Sequence, residues 1–294
     1  YAKNTNEEWT YSYDGDALGL KVTFSELTNL GWAKLIITDA SGNKTEYTGL
    51  ELAGKTLNLE GKSFGVLLKS GGSWAKFGFR ITKVEPMSEE EYEIFQKERV
   101  FTTKTLSDGT LEITDYTGSD EGDMVLPQTL GGVPVTSVAR WAFNYARWRS
   151  VTIPEGYISI GDLAFLNCSS ITSISIPTSL ISMGSAVFGS TKPTQITVAK
   201  GNPAYCVEDG VLFTKDKTKL LRCTVDKAGV YTIPDSVEEI ESCAFESCAK
   251  LTEVIIPDSV KTIDNLAFSS CKLLERITIP SSVTKLPSQM CAFC

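Results

Sequence analysis

Leu251-Thr-Glu-Val254-Ile-Ile256-Pro257-Asp-Ser-Val260-Lys-Thr-Ile263, followed by Ala267-Phe268 and then Cys271, is one beat of a repeat. Leu251, Val254 and Ile256 face inward from a short strand and its approach, because alternate strand residues share a side. Pro257 ends the strand, since it has no N–H to continue a ladder. Val260 and Ile263 turn inward again, and Ala267 and Phe268 fill the interior from a turn at the back. Such a unit cannot bury its apolar side alone, so it predicts neighbours of the same kind.

The neighbours are present. Ile-Pro recurs at Ile153-Pro154, Ile176-Pro177, Ile233-Pro234, Ile256-Pro257 and Ile279-Pro280, with 23 residues between the first two and between each of the last three. Ala-Phe keeps nearly the same beat at Phe143, Phe165, Phe245 and Phe268. A cysteine follows three residues after the last three of these, at Cys168, Cys248 and Cys271, and one more period reaches Cys294. The beat fades only at Val198-Ala199.

This pattern resembles the BspA-like leucine-rich repeats of bacterial surface proteins over residues 105–294. The resemblance implies a solenoid with parallel strands on its concave face, a β-hairpin cap near residues 105–135 and an irregular hairpin repeat near 200–232. Residues 1–86 read as a separate β-sandwich, with strands expected at Leu35–Asn43, Leu52–Leu59, Phe64–Leu68 and Phe77–Ile81 between Gly-rich turns. The order Tyr47-Thr-Gly49, Leu52-Ala-Gly-Lys55 and Gly78-Phe-Arg-Ile81 is similar to CUB-like domains. Residues 87–104 read as a link with a short helix, opened by a Ser88/Glu91 capping box and otherwise a charged, solvated spacer. The fold class is mainly β.

Composition narrows the chemistry. The chain has 294 residues and no histidine. This removes Ser-His-Asp and Cys-His catalysis and His-ligated metal. A net charge of −8 argues against nucleic acid. No apolar run approaches the roughly 20 residues of a membrane span. The beginning at Tyr1 without Met suggests processing and export, and the end at Cys294 within a repeat suggests that the natural chain continues.

Each candidate site competes with a packing role. CUB domains often carry calcium, but Ala33 and Gly71-Gly72-Ser73-Trp74 stand where the acidic ligands would, leaving Asp39 as a turn former. No cofactor or metal is expected. The ladder cysteines read as buried thiols, with Cys206 and Cys223 as the best disulfide candidate. Asn43-Lys-Thr and Asn167-Cys-Ser match a glycosylation sequon by letters, without meaning in a bacterial chain. Residues two and four before each Pro face outward on the strands. Thr232 and Thr278 continue a hydroxyl column, and Glu253 and Arg276 stand as a neighbouring pair, so no catalytic pair of acids emerges.

Arg140-Trp141-Ala-Phe143-Asn-Tyr145-Ala-Arg147-Trp148-Arg149 is the richest in the residue types of binding hot spots. Phe143 and Trp148 belong to the repeat core and Trp141 to its half-buried margin, which leaves Arg140, Tyr145, Arg147 and Arg149 without packing partners. They form a candidate patch for an acidic partner or for the chain's own sandwich. The sequence therefore reads as a non-enzymatic, secreted or cell-surface bacterial protein that binds a protein or host ligand. The alternatives are glycan binding through Trp9, Tyr11, Trp32 and Trp74 of the sandwich, or a spacer presenting another domain.

Overall fold

The computed structural model describes residues 6–69, 78–287 and 289–294. The chain divides into two compact units, Tyr1–Arg99 and Val100–Cys294.

The first unit contains strands β1 (Asn6–Ser12), β2 (Gly19–Phe24), β3 (Lys34–Asp39), β4 (Lys44–Tyr47), β5 (Thr56–Glu60), β6 (Ser63–Lys69) and β7 (Ile81–Pro86). They form two antiparallel sheets, β1-β6-β3-β4 and β5-β2-β7. Alternation puts Leu20, Val22 and Phe24 of β2 in one core with Leu35, Ile37, Phe64, Val66 and Leu68 of β3 and β6. This arrangement fits a β-sandwich. Two strand boundaries differ from the sequence reading. Leu52 is fully buried but sits in a turn, so the strand expected from Leu52 begins at Thr56. Gly78 makes only an isolated bridge to Asn29, and the last strand begins at Ile81; Phe77 lies outside the described residues. Asp39 is a turn former, accepting from the Ser41 and Asn43 N–H groups and from the Asn43 side chain.

Helix α1 (Glu89–Glu98) starts at the capping box, with Glu91 N–H donating to Ser88 Oγ and Ser88 N–H to the Glu91 carboxylate. It is more than a solvated spacer. Glu91 pairs with Lys21 of β2 at 2.6 Å, and Arg99, just past the helix, pairs with Glu60 of β5 at 2.6 Å.

The second unit opens with the antiparallel hairpin Phe101–Thr105 and Leu111–Tyr116, whose second strand also pairs in parallel with Val133–Val138. The cap thus hands antiparallel pairing over to a β-solenoid of about seven turns from about residue 111. Asp123–Val125, Ser150–Thr152, Ser173–Ile176 and Gln195–Val198 form one parallel sheet. The faded rung therefore keeps its strand. A meander of Tyr205–Glu208, Val211–Thr214 and Lys219–Cys223 interrupts the array. Parallel pairing resumes with Ala228–Thr232, Lys250–Ile255 and Arg276–Thr278.

Inside, the phenyl rings stack from rung to rung. Centroid separations are 5.0 Å for Phe143–Phe165, 5.5 Å for Phe165–Phe188 and 5.1 Å for Phe245–Phe268. Each Phe is held in a turn with two residues of positive φ, four apart: Trp141 and Tyr145, Leu163 and Asn167, Ala186 and Ser190, Cys243 and Ser247, Leu266 and Ser270. Such a conformation costs a non-glycine residue about 1–2 kcal/mol. Burial of the Phe and the rung-to-rung hydrogen bonds offset that cost.

Candidate binding surface

On the outward side of the first parallel sheet, register aligns Asp123, Ser150, Ser173 and Gln195 in one row and Val125, Thr152, Ser175 and Thr197 in the next. The intervening Val151, Ile174 and Ile196 are buried. The second sheet aligns Val230, Glu253 and Arg276, then Thr232, Ile255 and Thr278. Arg276 Nη1 lies 3.4 Å from Glu253 Oε1 across the strands, a pair that solvent weakens. Strand geometry therefore gives a short-chain hydroxyl surface in the first half and a mixed charged and apolar one in the second.

The Arg140–Arg149 segment splits into two groups. Trp148 is fully buried against Tyr116, Phe143 and Phe165, as its place in the repeat requires. Arg147 and Arg149 have partners that the sequence reading missed. Arg147 meets Glu121 at 3.3 Å. Arg149 grips Asp123 with two nitrogens, at 3.0 and 2.5 Å, and Ser150 Oγ adds a third bond to that carboxylate. The Arg149 guanidinium and the Ser150 hydroxyl hold the Asp123 carboxyl down to about 2. The acids lie on or just before the preceding strand of the sheet, 26 residues earlier in a stretch without the Ile-Pro mark, so no repeat alignment exposes the pairing.

The other group keeps a free face. Arg140 stacks on the Trp141 ring at 4.1 Å. Trp141 is 50% exposed and Tyr145 69% exposed. Both residues hold positive φ in the turn around the buried Phe143.

Three of the four aromatic residues considered for sugar stacking lie among the described residues. Trp9 packs edge-on against Phe79 and Tyr11 against Phe64, at the margin of the sandwich core. Trp32 stands 94% exposed, and Trp74 lies outside the described residues. Cys206 and Cys223 are both free; their cross-strand partners are Phe213 and Val211, two residues apart on the shared neighbour strand. Among the described residues no group of acids and thiols could hold a metal ion, and no helix is long and apolar enough to cross a membrane.

This architecture defines a leucine-rich-repeat solenoid. The sequence profile of the BspA type leucine rich repeat region matches in six copies over residues 123–205 and 227–294, and the chain belongs to that family. Its repeats resemble those of a Treponema pallidum leucine-rich-repeat protein, at 26% identity over 62% of this chain and 81% of the other, with a TM-score of 0.41. A leucine-rich cell-surface protein of Faecalibacterium prausnitzii matches at 22% identity over 66% and 79%, with a TM-score of 0.33. The pneumococcal vaccine antigen PcpA matches at 17% identity over 62% and 69%, with a TM-score of 0.45. No curated protein matches.

Proposed function

We propose that this chain is a non-enzymatic, secreted or cell-surface bacterial protein that binds a protein partner along the outward face of its parallel strands. One observation carries this reading. Outward rows of Ser, Thr, Gln and charged side chains are held in register by a repeated, mainly apolar interior. The interior fixes spacing, while the outward residues are free to differ and to set specificity. Arg140, Trp141 and Tyr145 supply a second contact, suited to an acidic partner.

The test is adhesion of the labelled protein to candidate host-cell or bacterial surfaces, with two variants. Thr152→Arg with Ser175→Arg blocks the strand face, and Arg140→Glu with Tyr145→Ala removes the second contact. Binding should fall at least tenfold in the first variant with the melting temperature unchanged. Binding that survives in residues 1–99 alone would move the site to the first unit and support the glycan reading.

A further inference from the structure

At one joint the solenoid is held by side chains. Elsewhere the turns are tied by a backbone ladder: Leu163, Phe165 and Asn167 N–H groups donate to Ser185, Val187 and Gly189 carbonyls, and Cys243, Phe245 and Ser247 to Asn265, Ala267 and Ser269. The rung at Ala186–Ser190 has no such partner rung. Ala186 N–H reaches the Glu241 carboxylate at 3.4 Å, while Ser190 N–H and Oγ reach Glu246 at 2.7 and 3.1 Å.

The meander intercepts the ladder. Cys223 N–H takes the Ala244 carbonyl, and the buried Arg222 guanidinium takes those of Cys243 and Glu246 on one side and Thr191 on the other. Arg222 Nε has no partner. Both parallel sheets break at the same place, and the apolar interior divides there into two clusters. The meander packs into both clusters, Leu212 into the first and Val211 and Phe213 into the second, so on the turn side it is polar side chains that close the joint. A turn tied by side chains opens before one tied by a continuous backbone ladder.

We propose that this joint is a hinge between two halves of the solenoid, closed on its turn side by Glu241, Glu246 and Arg222 in place of the backbone ladder. Glu241 occupies the place that Gly161 and Gly184 hold in earlier rungs, directly after the inner strand. Its carboxylate therefore sits in the crevice beside Gly184, Ala186 and Val187, which are uncharged. Glu239 and Asp264 on its own side repel its negative charge, and Lys219 attracts it. Tyr205 of the meander and Cys243 feel the same charge, and Arg222 lines the crevice with its guanidinium nitrogens turned to carbonyls. Burial first, then the neighbouring carboxylates, lift Glu241 to about 7. A raised folded value means stability that is complete below the unfolded value near 4.5 and is lost as pH rises through about 7. Alkaline conditions loosen the hinge.

Hydrogen exchange on the intact chain tests this, with rates corrected for the intrinsic effect of pH. Between pH 6 and pH 8 the Ala186 and Ser190 amides should lose about tenfold of their protection, as linkage requires for a carboxyl moved from 4.5 to about 7. Phe165 and Phe245, tied by the backbone ladder, should hold theirs. Glu241→Gln should abolish the pH dependence at the joint. Equal behaviour of all four amides in the wild-type chain would overturn the hinge. A pH response that survives in Glu241→Gln would overturn the role of Glu241.

Discussion

The Cys271 thiol donates to the carbonyl oxygen of Phe245 on the preceding rung, 3.1 Å away, and Cys168 repeats the bond to Phe143 at 3.0 Å. The repeated cysteine thus does more than fill space. It ties the turn after one Phe to the Phe before it, in a position where both groups are buried.

Replacing Cys271 with Ala should lower stability by about 1–2 kcal/mol, the sum of lost sulfur burial and one weak hydrogen bond. The Phe245 carbonyl keeps the Cys248 N–H, which limits the cost. Cys294 makes the same bond to Phe268 at 2.9 Å but is exposed, so Cys294→Ala should change little. Urea unfolding of the two variants makes the comparison. Equal losses would show that burial is not what gives the ladder cysteine its value.

The sequence disclosed what repeats. Leu251, Val254, Ile256, Val260, Ile263 and Phe268 are all buried as their period demands, and Trp148 is buried where Leu and Ile stand in other rungs. It did not disclose what occurs once. The positive-φ turn residues include Trp, Leu, Ala, Cys, Tyr, Asn and Ser, so their conformation is imposed by packing and leaves no letter. Arg149 and Asp123 are 26 residues apart, against a period of 23, and the joint at Glu241 depends on an insertion that breaks the count. Pairing across such breaks follows from tertiary placement alone.

Asp123 should titrate at about 2, measured by carboxyl NMR, and Arg149→Gln should return it towards the ordinary value of about 3.9. The sign follows from the depressed folded value. Whatever the pair contributes is present above pH 4 and is lost as pH falls through about 2. Both groups are exposed, so added salt should shrink the shift. A shift indifferent to 1 M salt would point to the Ser150 hydroxyl as its main source.

Gly161→Ala should cost about 1–3 kcal/mol. A Cβ there would lie 2.6 Å from Arg140 N and 2.9 Å from Ala139 C, both backbone atoms of the preceding rung that cannot step aside. Gly122→Ala is the control, because its Cβ would meet nothing within 4 Å. That variant should melt within a degree or so of the parent chain. A Gly161→Ala chain as stable as the Gly122→Ala chain would show that the rungs can slide apart to make room.

Alkylation of the native chain should follow exposure and then the joint. The thiolate is the reactive form, and burial pushes Cys168 and Cys243 up to about 12, with Cys271 also raised by its burial. Cys291 and Cys294 are exposed and should label first, with the half-buried Cys206 next. Burial holds both Cys168 and Cys243 in the unreactive thiol form, and ionised Glu241 opposes the Cys243 thiolate further, so earlier labelling of Cys243 would report access. Cys168 lies within the unbroken ladder, whereas Cys243 lines the crevice where Glu241 and Arg222 replace that ladder. Cys243 should therefore label before Cys168, and its lead should widen from pH 6 to pH 8 as Glu241 ionises. Mass spectrometry of a labelling time course separates the sites. Simultaneous labelling of Cys168 and Cys243 at both pH values would mean that the solenoid opens as one piece.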